Sequence, residues 1–236
     1  MSNIRLFFSK SLSLNLIDKL DKSQSHYLSK VMRLKVNQNF SLFNNSGEWG
    51  AKILNISRGI VEFNIIKKLR QEENNKELWL AFSPIKSNYF NFMIQKSTEL
   101  GVTKFLPIVF ERSIVRKINK DRLKKIVIEA SEQSNQINIP EILNLKSLKE
   151  FLNSFPSDGN LIFCDINTNK EKIDILLSKK TKGPICILIG PEGDFSETER
   201  QSIIDMKQST SLSLSDNILR AETAAIAAIS IINFFQ

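Results

Sequence analysis

The sequence predicts an α/β protein: a parallel sheet covered by helices over residues 78–236, preceded by a small β-barrel-like module over 1–70. Three observations lead there. Residues 1–70 contain two hairpin patterns with Asn/Gly turns. From residue 78 onward, continuous apolar runs alternate with helix-length segments, as in a parallel sheet buried on both faces. The charge is also divided unevenly: residues 1–70 hold 12 Lys/Arg against 4 Asp/Glu, and residues 71–236 hold 21 of each, so the whole net +8 lies in the first module.

The elements follow in order. Ile4–Phe8 (IRLFF) reads as a short strand. Over 25–34, apolar residues at 27, 28, 31, 32 and 34 have the spacing of a short amphipathic helix. Strands are expected at 39–43, 48–56 and 60–66, joined by turns at Asn44-Asn45-Ser46-Gly47 and Arg58-Gly59. The polar stretch RQEENNKE at 70–77 marks a linker, placed at 71–77. Beyond it, strands are expected at 78–85, 104–110, 160–166, 185–190 and 211–215. Helices are expected at 88–100, 119–135, 147–154, 170–178, 197–207 and 221–234. Ser196-Glu197-Thr198-Glu199 has the form of a capping box.

Composition excludes several classes. Hydrophobic residues at 42% and charged residues at 25% are ordinary for a soluble globular chain. No apolar run approaches the roughly 18 residues of a membrane span. The N-terminus lacks a continuous apolar core and a small-residue cleavage site, so a signal peptide is not expected. Cys164 and Cys186 sit in strand-like runs and read as buried free thiols of a reducing cytoplasm. His26 is the sole histidine, which rules out a His-rich metal site. A basic module joined to a neutral one suits a polyanion such as nucleic acid, although a solvated basic face has the same composition.

Two strand-to-helix turns could carry chemistry. The first is Gly190-Pro191-Glu192-Gly193-Asp194. A phosphate loop needs free backbone N–H groups and a following Lys-Ser/Thr. Here Pro191 has no N–H, and Glu192 and Asp194 would repel phosphate. GxGxxG is absent as well, so NTPase and dinucleotide-dependent oxidoreductase readings lack their motifs. A tight turn before a capped helix remains open. The second turn is LSLSDNILRAETAAIAAIS at 212–230, where Arg220, Glu222 and Thr223 open an Ala-crowded helix. Ligands of open parallel sheets bind at the carboxyl ends of strands, where such turns gather. An Ala-rich surface helix is the plainer alternative.

GPEGDFS followed by LSDNILRAETAA resembles the RsmE family of 16S ribosomal RNA uridine-N3 methyltransferases, in the SPOUT superfamily of knotted enzymes. IQKSTELGVTKFLPIVFERS at 94–113 and IEASEQSNQINIP at 128–140 agree with it. HYLSKVMRLKVNQNFSLFNNSGEWGAKI at 26–53 is similar to the family's PUA-like RNA-binding domain. The resemblance implies S-adenosyl-L-methionine as cofactor, a SPOUT domain with a deep C-terminal trefoil knot, and a cytoplasmic homodimer acting on 16S ribosomal RNA within the small ribosomal subunit. It implies a cofactor pocket using Leu188, Gly190, Glu192, Gly193, Leu214, Leu219 and Arg220. Glu222 is then the candidate base and Arg220 the stabiliser of a deprotonated uridine; tying knot loops together is their rival role. Arg33, Lys35, His26 and Arg112 become candidate RNA contacts. His26 equally suits a structural role, and Glu99 and Arg112 equally suit salt-bridged fold positions. One departure stands out: Asn135-Gln136 occupy the place of the family's usual Gly-Arg, which removes an expected cation. The alternative function is a non-catalytic RNA-binding or ribosome-assembly protein that keeps the fold.

Overall fold

The computed structural model describes residues 4–71, 77–168 and 183–235. The chain divides into two compact units: Met1–Asn74 with Ser131–Ile139, and Asn75–Ala130 with Pro140–Gln236. Ser131–Ile139 lies in the stretch that sequence reading assigned to the C-terminal domain. The expected helix at 170–178 and most of the expected linker fall outside the described residues.

In the first unit, β1 (Arg5–Phe7), β2 (Ile17–Lys19), β3 (Asn39–Asn44), β4 (Gly47–Ser57) and β5 (Ile60–Arg70) form one sheet in the order β1-β3-β4-β5-β2. Only the β1–β3 pair is parallel. Val61, Phe63 and Ile65 of β5 are buried and alternate with half-buried neighbours, so one face of the strand meets the core. The core joins them to Leu28, Phe40, Leu42, Ala51 and Ile53. The Arg58-Gly59 turn has φ of 50° and 79°. Two positive φ values match the twist of a two-residue hairpin.

The expected helix at 25–34 begins earlier and ends sooner. It comprises α1 (Lys22–His26) and a π-helical turn at Tyr27–Val31. The Asp21 carboxylate caps the start by accepting from the Gln24 N–H at 2.8 Å. Left-handed backbone at Arg33, φ 57°, follows the end. Strand β2 was not expected, because three residues with one apolar side chain show no periodicity.

The segment 131–139 is bound into this unit through backbone. Arg5 Nη1 donates to the carbonyls of Ser131 and Glu132, both at 3.1 Å, and Nη2 to that of Gln136 at 2.8 Å. Its Nε pairs with Glu48 at 3.1 Å. The Phe7 N–H donates to Glu132 Oε1 at 2.8 Å. Arg70 Nη1 donates to the Asn135 carbonyl at 2.9 Å and to its Oδ1 at 3.0 Å. Asn135 has φ 65°, so the residue standing where the resembled family has Gly is one that tolerates left-handed backbone.

The second unit holds β6 (Leu78–Phe82), α2 (Ser87–Glu99), β7 (Lys104–Val109), most of α3 (Lys120–Gln133), β8 (Glu141–Ile142) and β9 (Lys146–Ser147). Then come α4 (Leu148–Ser154), β10 (Asn160–Cys164), β11 (Ile185–Ile189), α5 (Glu197–Ile204), β12 (Ser209–Leu212) and α6 (Ala221–Phe235). The sheet runs β12-β10-β11-β6-β7-β8, with β9 also on β7, and every pairing is parallel. β6 is buried along its length, and β11 at four of its five positions, as continuous apolar strands between covered faces should be. The strand expected at 211–215 lies two to three residues earlier. It pairs one-to-one with β10 and stops where Leu212 meets Cys164, so Leu214 and Ser215 lie past it.

Candidate functional site

Parallel strands end on one edge. At the ends of β10, β11 and β6 a cavity of about 580 Å³ opens, within the usual range for small-ligand sites. Cys164 and Ile166 line it from β10. Ile189, Gly190, Pro191, Glu192, Asp194 and Phe195 line it from β11. Lys86 and Tyr89 face it from the start of α2, and Ile218 to Glu222 with Ala224 face it from the start of α6.

The loop after β11 is built tightly. The Asp194 N–H donates to the Pro191 carbonyl at 3.0 Å, and Asp194 takes φ 60°. Its Oδ1 accepts from the Phe195 N–H at 2.8 Å. The Phe195 ring turns back beneath Gly190 and meets Phe110 and Phe163 edge-on, with centroids 5.2 and 4.9 Å away. A Cβ on Gly190 would stand 2.4 Å from that ring, so only glycine fits above it. Both halves of the expected capping box are present: Ser196 N–H donates to Glu199 at 3.0 Å, and Glu199 N–H to Ser196 Oγ at 3.4 Å. The other Glu199 oxygen accepts from the Glu111 N–H at 2.7 Å, which ties α5 to the loop after β7.

Behind the cavity, α5 carries a buried cation. Arg200 Nη1 bonds Asp165, and Nη2 reaches Asp194 at 3.0 Å. Burial alone would pull this guanidinium down. The hydrogen bond it donates to Asp165 and the charges of Asp165, Asp194 and Glu197 outweigh that and hold it above its ordinary value. Desolvation pushes the Cys164 thiol up to about 12 and raises that of Cys186 as well, so neither is a thiolate nucleophile at neutral pH.

At the opposite wall, Arg220 is exposed and its guanidinium carbon lies 5.4 Å from the centre of the Tyr89 ring, a cation–π distance. Glu222, in the first turn of α6, is 9% exposed. Its carboxylate has no hydrogen bond or ion pair among the described residues. It lines the cavity at the positive end of a 15-residue helix, placed to accept a ligand's hydrogen bond.

The structure thus gathers Gly190, Glu192, Leu219, Arg220 and Glu222 around one cavity. Leu188 is not at its surface: it is fully buried in the core with Ala81, Phe163 and Phe195, because its side chain points into a sheet covered on both faces. Gly193 backs onto Arg112, whose Cβ lies 3.3 Å from where a Cβ on the glycine would stand. Arg112 Nη1 donates to the Gly193 carbonyl at 3.3 Å. Leu214 is half-buried beyond β12 and outside the lining. Glu99 accepts from Lys96 at 2.8 Å with both oxygens, a salt-bridged surface position. In the first unit His26, Arg33 and Lys35 are all exposed, among the exposed apolar side chains Tyr27, Val31, Met32 and Val36. Sequence reading missed Lys86, Tyr89, Cys164, Ile166 and the Arg200 cluster. For Lys86 and Tyr89 a signal existed, since both follow directly on the carboxyl end of a strand.

A model of an RNA methyltransferase domain matches residues 72–233, and one of an RNA methyltransferase PUA domain matches residues 20–66. The chain is 36% identical over 208 residues to a ribosomal RNA small subunit methyltransferase E of Rickettsia conorii, covering 87% of this chain and 84% of that one. It is 32% identical over 240 residues to the protein of the same name from Buchnera aphidicola, covering 96% and 94%. Among solved structures, the Neisseria gonorrhoeae ribosomal RNA small subunit methyltransferase E, crystallised with S-adenosyl methionine, superposes with a TM-score of 0.88 at 30% identity, covering 98% and 97%.

Proposed function

The chain belongs to the ribosomal RNA small subunit methyltransferase E family, and on that premise we propose that it transfers the methyl group of S-adenosylmethionine to N3 of a uridine in 16S ribosomal RNA. The observation that carries the reading is the cavity at the β10–β11–β6 edge, with the buried Glu222, unpartnered among the described residues, and the cation Arg220 on one wall.

The residues present suit the cofactor. The volume holds a nucleoside, and Gly190 brings backbone to the surface where a planar base can lie against it. Leu219 and Ile218 offer apolar area. Glu222 provides a carboxylate without a partner among the described residues. Bound there, S-adenosylmethionine supplies an electrophilic methyl carbon, and the protein supplies position and electrostatics. Uridine N3 carries a proton and is a weak nucleophile until it leaves. Glu222 Oε takes that proton, and the Arg220 guanidinium favours the negative charge that develops on the base. Of the family-implied pocket residues, Glu192 lines the cavity, while Leu188, Gly193 and Leu214 lie outside its lining.

The strand order supports the trefoil knot: the chain leaves β11, crosses beyond β10 to form β12, and returns to pack α6 on β11 and α2. Ala225 and Ala228 are buried in that return, where small side chains let backbone approach closely. The homodimer is supported by exposed apolar side chains on and beside α6, with Ile218 at 84% and Phe234 at 83%. The first unit, a PUA domain with its basic excess, binds the RNA backbone through Arg33, Lys35 and His26, with Arg112 contributing from the second unit. No helix among the described residues is long and apolar enough to cross a membrane. A cytoplasmic location is where small ribosomal subunits are found.

The test separates binding from turnover. Calorimetry with S-adenosylmethionine and its demethylated product should show binding to the parent, to Glu222→Gln and to Arg220→Ala. Methyl transfer to 16S ribosomal RNA should fall at least about 100-fold in Glu222→Gln, the usual scale for a general base. Absence of cofactor binding by the parent overturns the enzyme reading and leaves an RNA-binding protein. Normal turnover in both variants removes the two residues from the chemistry.

A further inference from the structure

We propose that Arg200 is a positioning residue for the cofactor cavity: from behind, it locks the loop after β10 to the loop after β11 and so sets the spacing of two cavity walls. This rests on the function proposed above.

The strand pairing cannot set that spacing by itself. The β10–β11 register ends at Phe163 opposite Leu188, and the residues that line the cavity come after it. From there each loop depends on other contacts. Asp165 sits between two lining residues, Cys164 and Ile166, and is 5% exposed. Asp194 lines the cavity itself, between Glu192 and Phe195. Arg200 bonds both carboxylates with separate nitrogens. The Asn167 amide, turned with its oxygen toward the guanidinium, accepts at 2.8 and 3.1 Å. The Asn167 N–H in turn donates to Asp165 Oδ1 at 3.0 Å. On the other side Asp194 is oriented by its own bond to the Phe195 N–H, which leaves Oδ2 for Arg200. One planar fork thus joins two residues of the loop after β10, Asp165 and Asn167, to Asp194 of the loop after β11, a task suited to guanidinium and poorly met by an ammonium.

Arg200 is 8% exposed and not part of the cavity lining, so it acts through its partners. The Asp194 arm separates positioning from simple fold stability. Asp194 has a side chain 41% exposed, so removing its charge leaves the buried Arg200–Asp165 pair in place and the core undisturbed.

The experiment uses the full chain and three variants, Asp194→Asn, Arg200→Met and Arg200→Lys. Calorimetry measures S-adenosylmethionine and, separately, a 16S ribosomal RNA fragment. Amide exchange is followed without ligand at 164–167 and 190–195. Asp194→Asn should weaken cofactor binding about tenfold, the lower end of what orienting contacts behind a site contribute, with RNA affinity unchanged. Arg200→Met should lose more, and Arg200→Lys should recover part of it. Exchange should quicken in both loops together. Parent-like cofactor affinity and exchange in Asp194→Asn overturn the proposal, and that variant decides the matter even if Arg200→Met does not fold. If the parent itself binds no cofactor, the function proposed above falls, while coupled exchange of the two loops still judges the lock on its own.

Discussion

Gly190→Ala is the sharpest single perturbation of the cavity wall. The added Cβ would stand 2.4 and 2.5 Å from Cε2 and Cζ of Phe195, about 1 Å inside ordinary carbon contact. The ring cannot swing away. It is 5% exposed and held edge-on by Phe110 and Phe163 at 5.2 and 4.9 Å. Overpacking of this kind costs about 1–3 kcal/mol. A cost of about 2 kcal/mol, with a urea slope of about 2 kcal/mol per molar, lowers the unfolding midpoint by about 1 M. Urea titration followed by fluorescence measures it, and calorimetry with S-adenosylmethionine should show weaker binding, because the loop that yields is a cavity wall. Phe195→Leu removes the two clashing ring atoms. In the double variant the costs should therefore sum to less than the singles, by at least about 1 kcal/mol. An unchanged midpoint and cofactor affinity in Gly190→Ala, or strict additivity with Phe195→Leu, refutes the reasoning.

Four further outcomes follow from the same structure. Arg33→Ala with Lys35→Ala should flatten the salt dependence of RNA binding by about 1.4 in log–log slope, about 0.7 for each lost single-strand phosphate contact; an unchanged slope removes them from the interface. Native Cys164, its thiol pushed up to about 12, should react with iodoacetamide at pH 8 roughly a thousandfold more slowly than free cysteine, read by mass spectrometry of the intact chain. Asp18 is held below its ordinary value by its hydrogen bond to Lys10 and by the Lys19 N–H. Its contribution is thus present above the unfolded carboxylate pKa and lost as pH falls through the lower folded one. Asp18→Asn should cost at most about 1 kcal/mol at pH 7, as expected of an exposed pair, and nothing near pH 2 in urea titrations. Asn135→Ala should cost about 1–2 kcal/mol for left-handed backbone, while Asn135→Gly stays within a few tenths by the same assay.

Much of this was legible in the sequence because it rests on local signals. Leu78–Phe82 and Ile185–Ile189 announce buried parallel strands by continuous apolar composition, and Ser196–Glu199 announces a helix start by its own side chains. GPEG and LRAE have 25 residues between them, and the family resemblance, with the rule about strand ends, implies that they share one pocket. What stayed hidden is non-local or silent. Arg200 finds Asp165 across 35 positions, and no spacing marks the pair. The family resemblance implies Leu188 at the pocket, yet its side chain is turned into the core. Residues 131–139 join the first unit mainly through their carbonyls, which every residue has and no sequence pattern displays.

That last attachment has a consequence for how the protein can be divided. The first unit is not a portable module. Cutting the gene after the linker would take from Arg5, whose side chain is 7% exposed, three of its carbonyl acceptors, and from Phe7 N–H its carboxylate. The excised piece would carry a buried cation short of partners, and its failure to bind RNA would say nothing about the intact protein. A graft that works must bring the 131–139 strip with it, on the same chain through a short loop or as a separate peptide. A peptide of that sequence is therefore a natural reagent for restoring the fragment.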